Sequence, residues 1–190
     1  MDFQKFIDNY YNRYIQVLKD FDKHSLEPVL EVFQTVSKNN GTLWVAGNGG
    51  SASISDHTVC DATKLTHTDK HLAIKCISLV SNNAMITALG NDISYEVIFS
   101  EQLKYYLGEN DALLVVSSSG NSPNVVKACE YANEMGVPTI AFVGFKGGKL
   151  KEIAQHSVWI PVENYGMCED AHQSLMHVTT QYITACLTEK

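Results

Sequence analysis

The 190-residue sequence has no cluster of lysine and arginine to set against its formal net charge of −7. A chain built to hold a nucleic-acid backbone or an anionic membrane surface needs such a cluster, so neither is expected as the main partner. No apolar run approaches membrane-spanning length, and the N-terminus lacks the apolar stretch of a secretory signal; a cytoplasmic address with no membrane partner is expected. A disulfide framework is missing too. The cysteines, Cys60, Cys76, Cys129, Cys168 and Cys186, are odd in number and widely spaced, which fits neither paired bridges nor a zinc ribbon. Cys76, Cys129 and Cys186 sit in apolar contexts and are expected to be buried small hydrophobes. Linkers, repeats and low-complexity segments are absent, so residues 1–190 are expected to form one domain, with a helical arm over 1–40 and an α/β core over 41–190. With 45% hydrophobic and 18% charged residues, a full core is available.

Two helices are predicted between Phe3 and Asn39, from Phe3, Phe6, Ile7, Tyr10, Tyr14, Val17, Leu18 and Phe21, then Leu26, Val29, Leu30, Val32, Phe33 and Val36. Ser25 is read as the N-cap of the second, with Pro28 in its first turn. This aromatic-rich arm can cover the core or pack against another subunit. Beyond it, apolar runs at Leu43–Ala46, Ala73–Leu79, Leu113–Val116, Thr139–Val143 and Val158–Pro161 alternate with helical patterns at Ser53–Lys64, Asn82–Leu89, Tyr95–Leu107, Asn124–Met135 and Lys149–Ala154. A last helix is read from Glu169 to Leu187. Such alternation predicts a parallel sheet covered on both faces.

Two strand-to-helix loops carry similar chemistry: Gly47-Asn48-Gly49-Gly50-Ser51 and Ser117-Ser118-Ser119-Gly120-Asn121-Ser122. At that place free N–H groups and the helix dipole attract an anion, glycine lets the backbone approach, and serine hydroxyls add donors without charge. Gly, Asn and Ser also make ordinary turns. Neither loop has a P-loop lysine or the dinucleotide spacing, so a phosphorylated ligand such as a sugar phosphate is expected.

His57 and Asp61 lie four apart on the helix after the first loop and share a face, as an orienting pair or as part of a site. Glu169 and Asp170 suit the first turn of the last helix on dipole grounds alone. His172 and His177 are five apart, so at most one is expected to join His57 and Asp61. His24, His67, His71 and His156 are read as solvent-exposed. Gly90-Asn91-Asp92 looks like a C-capping glycine with a polar turn, and Asp92 could instead contact a sugar hydroxyl.

Taken together, these three segments resemble the sugar isomerase (SIS) domain family, and within it the phosphoheptose isomerases, which convert sedoheptulose 7-phosphate to D-glycero-D-manno-heptose 7-phosphate. The resemblance implies a flavodoxin-like three-layer α/β sandwich with a five-stranded parallel sheet, assembled as a homotetramer with sites partly between subunits. It implies a phosphate site at Ser51, Ser117, Ser118, Ser119 and Ser122, with Asn48 and Gly49 nearby and Asp92 in the active site. The family's catalytic Glu falls on Asp61, and aligning from Tyr165-Gly166 puts the family's last-helix His on Thr180. Some members bind zinc through residues that correspond to His57, Asp61, His172 and Thr180. Three strong ligands remain, so one Zn²⁺ per subunit on His57, Asp61 and His172 is expected. Asp61 is then base or ligand and His172 acid or ligand; Glu169 or His177 would be the base if both bind zinc. The replacement of the last-helix His by Thr180 also admits a non-catalytic SIS protein that binds a sugar phosphate or a protein partner.

Overall fold

The computed structural model describes residues 1–188 apart from Lys70 and Leu72. Helices α1 (Phe3–Asp20) and α2 (Glu27–Lys38) lead into strand β1 (Thr42–Gly47) and helix α3 (Gly50–Lys64). Strand β2 (Lys75–Ser78), α4 (Asn83–Asp92) and α5 (Ile98–Tyr106) follow, then β3 (Ala112–Ser117), α6 (Pro123–Glu134), β4 (Thr139–Val143), α7 (Gly148–Ile153), β5 (His156–Trp159) and α8 (Tyr165–Thr188). The five strands form one parallel sheet in the order β2-β1-β3-β4-β5, as expected from the alternation.

That order fixes where a ligand can sit. After β1 the chain crosses to one edge, and after β2 it returns to the other side of β1. The crevice outside the carboxyl ends of β1 and β3 is the switch point of such a sheet. Gly47 is level with Val116, so the two loops emerge side by side.

Side chains alternate along the strands between two apolar layers. Leu43, Val45, Leu114, Val116, Ile140 and Phe142 face α2, α3 and α8. Trp44, Ala46, Leu113, Val115, Ala141 and Val143 face α4 through α7. Helix α2 buries Val29, Val32, Phe33 and Val36, so the second half of the arm covers the sheet. Helix α1 buries Val17 alone and leaves Phe3, Phe6, Tyr11 and Ile15 exposed.

Several local expectations are corrected. Ser25 does not cap α2. Its hydroxyl donates to the Asp22 carbonyl within a short 3-10 turn, and Leu26 occupies the cap without a side-chain bond. Gly90 lies inside α4, which runs on to Asp92. Strand β5 starts at His156, paired with Ile140, and ends before Pro161, which has no N–H to donate. His156 is therefore half-buried, whereas Cys186, on the outer side of α8, is exposed. Helix α8 begins four residues earlier than expected because Asn164 caps it, its Oδ1 accepting from the Met167 N–H at 3.0 Å.

Candidate active site

The first loop turns at Gly49, whose φ of 56° favours glycine, and α3 starts at the next residue with no side chain capping it. Its first N–H groups are left for a ligand. In the second loop Gly120 has a φ of 67°, and a Cβ there would meet the Gly147 carbonyl. Ser122 stands at the N-cap of α6, yet its hydroxyl makes no capping bond. The loops enclose a pocket of about 280 Å³ lined by Asn48, Gly49, Gly50, Ser51, Ser117, Ser118, Ser119, Ser122, Tyr165 and Glu169. No cationic side chain lines it. The buried Ser118 Oγ has no hydrogen-bond partner.

The side chain of Asn48 is engaged with the protein. Its Nδ2 donates to Asn124 Oδ1 at 2.8 Å, Asn124 Nδ2 returns a bond to Asn48 Oδ1 at 2.9 Å, and the Tyr95 hydroxyl donates to the same oxygen at 3.0 Å. This reciprocal amide pair ties the β1–α3 loop to the start of α6. Asp92 stays exposed, accepts from Asn91 Nδ2 at 2.8 Å, and does not line the pocket.

A second group of polar side chains lies further along α3 and α8, which run side by side in the same direction. Glu169 abuts Gly50, Gln173 meets His57, His177 meets Asp61, and Thr184 bonds the Leu65 carbonyl. Asp61, nearly buried, holds His177 Nδ1 to Oδ2 at 2.8 Å and His57 Nε2 to Oδ1 at 3.3 Å. The two imidazoles meet edge to face, 5.0 Å apart. One ligand atom each from His57, Asp61 and His177 lies within 4.8 Å of the others.

His57 and Asp61 thus come together as expected, but His172 does not join them. It lies on the opposite face of α8, fully buried against Phe142, with neither ring nitrogen hydrogen-bonded. Burial pushes its pKa down to about 4. Thr180 is on the same inner face, its hydroxyl donating to the Met176 carbonyl at 3.0 Å. Neither can be a ligand or a proton donor in this site; the last-helix histidine that faces Asp61 is His177. Helical spacing carried the signal. Cys168, Ala171, Leu175, Met176 and Ile183 mark the buried stripe that contains His172, whereas Glu169, Gln173 and His177 recur every four residues on another face. Gln173, Asn124, Tyr95 and Tyr165 had no sequence signal stronger than position, since their parts depend on which elements the fold brings together.

Comparison with known proteins gives the family and the fold. The SIS domain family matches residues 6–144. A protein of Thermoplasma volcanium named "probable phosphoheptose isomerase" is 34% identical over 165 residues, spanning 87% of this chain and 84% of its own length. The phosphoheptose isomerase of Helicobacter pylori strain P12 is 30% identical over 164 residues, spanning 86% and 83%. The solved structure of phosphoheptose isomerase GmhA from Neisseria gonorrhoeae superposes with a TM-score of 0.87 at 26% identity, covering 96% of this chain and 98% of that one.

Proposed function

The chain belongs to the SIS domain family, and we infer that it is an aldose–ketose isomerase of a sugar phosphate, acting on sedoheptulose 7-phosphate or a related heptose phosphate. The observation that carries this reading is the Asp61–His177 pair at 2.8 Å, set on the same two helices as an anion pocket of hydroxyls and helix N–H groups.

In this reading Ser51, Ser117, Ser118, Ser119 and Ser122 hold the phosphate, with the backbone of Asn48 and Gly49 beside them. Glu169, between phosphate pocket and Asp61, accepts a hydroxyl of the sugar chain. Asp61 takes a proton from C1 of the ketose. The Nδ1–H of His177 polarises the C2 carbonyl and stabilises the oxygen on which charge develops. Asp61 then returns the proton to C2, while the hydroxyl proton passes from O1 to O2 by way of the same imidazole, leaving the aldose.

The donor set also fits one zinc ion per subunit. Two imidazoles and a carboxylate within 4.8 Å of one another match three protein ligands with an open fourth position. His57 Nε2, one Asp61 oxygen and His177 Nδ1 would hold the ion, these ring nitrogens then carrying no proton, so that in the zinc-bound form Lewis-acid stabilisation would stand in place of the Nδ1–H of His177, while the second carboxylate oxygen stays available for the proton. When bound, it supplies Lewis-acid stabilisation to the sugar oxygens.

Residues 1–190 act as one domain in this account, in the cytoplasm. Homotetramer formation is supported by the apolar side chains that α1 leaves exposed and by Val178 on α8, 57% exposed beside a groove lined by Leu18, Phe21, Leu26 and Leu30. The non-catalytic alternative rested on Thr180 standing where a histidine should be. With His177 against Asp61, that ground is gone. Incubation with sedoheptulose 7-phosphate in heavy water tests the function: the active chain incorporates deuterium next to the carbonyl and forms the aldose. A chain that binds the sugar phosphate tightly but exchanges nothing is a binder and not an isomerase.

A further inference from the structure

Gln173 sits one helical turn from His177 and reaches both histidines of the cluster. Its Nε2 lies 3.1 Å from His57 Nδ1 and 3.1 Å from His177 Nε2. An amide nitrogen has two hydrogens to give and accepts none. Both contacts therefore need bare ring nitrogens. The ring protons then sit on His57 Nε2 and His177 Nδ1, the two atoms that face the Asp61 carboxylate at 3.3 Å and 2.8 Å. Asp61, the two imidazoles and Gln173 form a closed ring in which each proton meets an acceptor.

A cation on the Asp61 side needs lone pairs on those same two ring nitrogens. The protons must then move to His57 Nδ1 and His177 Nε2, where they would face the amide hydrogens of Gln173, donor against donor. A half-turn of the amide replaces Nε2 by Oε1, which has two lone pairs and can accept from both rings. Ligating imidazoles require an acceptor of this kind on the far nitrogen, for it fixes ring orientation and raises basicity.

We propose that Gln173 is a positioning residue for a bound divalent metal, its amide turning over between the metal-free ring and a metal-bound state in which Oε1 accepts from both imidazoles. The proposal rests on the zinc reading of the cluster. It applies to the chain's own hydrogen bonds and adds no ligand to the ion.

The test compares zinc affinity, by competition with a chromophoric chelator, for wild type, Gln173→Leu and Gln173→Glu. Leucine can neither give nor accept. Glutamate can accept from both rings and is fixed in the metal-bound arrangement. Gln173→Leu is expected to bind zinc about 10–100-fold more weakly, and Gln173→Glu at least as tightly as wild type. Nitrogen-15 spectra of the wild-type imidazoles give a second readout. On adding zinc, the ring proton should move from Nε2 to Nδ1 on His57 and from Nδ1 to Nε2 on His177. Equal affinities in all three proteins overturn the role of Gln173 while leaving the zinc site standing; unchanged tautomers on zinc binding mean that His57 Nε2 and His177 Nδ1 keep their protons and do not hold the ion, which overturns the zinc site and the proposal together. A wild type that binds no zinc overturns the zinc reading and the proposal with it. Should Gln173→Leu fail to fold, the glutamate variant still decides: zinc bound more weakly than by the wild type overturns the role of Gln173.

Discussion

Replacing His172 with phenylalanine should make the protein more tolerant of acid and leave its chemistry intact. The imidazole is fully buried, and burial lowers its pKa from the ordinary 6.5 to about 4. Between those values the unfolded chain binds a proton that the folded chain refuses, so stability falls as pH drops through the window. Above pH 6.5 this cost is absent, and below 4 it is complete. The full difference of ~2.5 units corresponds to about 3 kcal/mol, of which roughly 2 kcal/mol has appeared by pH 5. For a chain of this size that is about 4–8 °C in Tm. Phenylalanine removes the titration, and it also removes two ring nitrogens without partners beside Phe142. Stability at pH 7.5 should then be unchanged or higher, since unpaired buried polar atoms cost about 1–3 kcal/mol. Urea unfolding of both proteins at pH 7.5 and pH 5.0 gives the comparison, other groups cancelling between them. A wild-type loss that persists undiminished in His172→Phe would refute the reasoning. Loss of activity in the folded variant would return His172 to the active site.

Other substitutions separate the roles of the neighbouring side chains. Ser118→Ala with Ser122→Ala should leave Tm nearly unchanged, because neither hydroxyl supports the fold, yet weaken sugar-phosphate binding by about 1.5–3 kcal/mol per bond lost, read by calorimetry. Unaltered affinity would place the phosphate elsewhere. Asn124→Ala removes the amide pair with Asn48 and the bond to the Val125 N–H, so a stability loss of about 2–3 kcal/mol and a raised KM are expected from denaturation and steady-state rates. An unchanged KM would mean that the latch does not hold the loop for substrate. His177→Ala should cut the isomerisation rate by about 10²–10⁴, whereas Thr180→Ala should change it little; the reverse ranking would contradict the assignment of the last-helix histidine.

Much of this arrangement was legible in the sequence because it follows from local rules. Apolar runs of strand length between helical patterns give parallel strands, and the glycine-serine loops at the ends of two neighbouring strands line one pocket. His57 and Asp61 share a face because they are four apart on one helix. The partner from α8 was less legible, since that choice depends on rotation of a helix about its axis. Reading α8 from Glu169 instead of Tyr165, and aligning by distance along the chain, favoured His172 and Thr180 over His177. The buried stripe from Cys168 to Ile183 was the available corrective. Asn124, Tyr95 and Gln173 act across 47 to 116 residues of chain, and only the folded arrangement brings them to their partners. Gly90 resembled a helix stop, but α4 runs on to Asp92, and in place of the serine pocket that carboxylate faces solvent.

The central claim is that Asp61 moves a proton on a sugar phosphate bound by the serine loops. Proton nuclear magnetic resonance of sedoheptulose 7-phosphate in heavy water, with wild type and Asp61→Asn side by side, tests it most directly. The amide is almost the same size but is not a useful base. Wild type should exchange the proton next to the carbonyl and build up the aldose, and Asp61→Asn should still bind the phosphate while exchanging nothing. Exchange at the wild-type rate in Asp61→Asn would contradict the account.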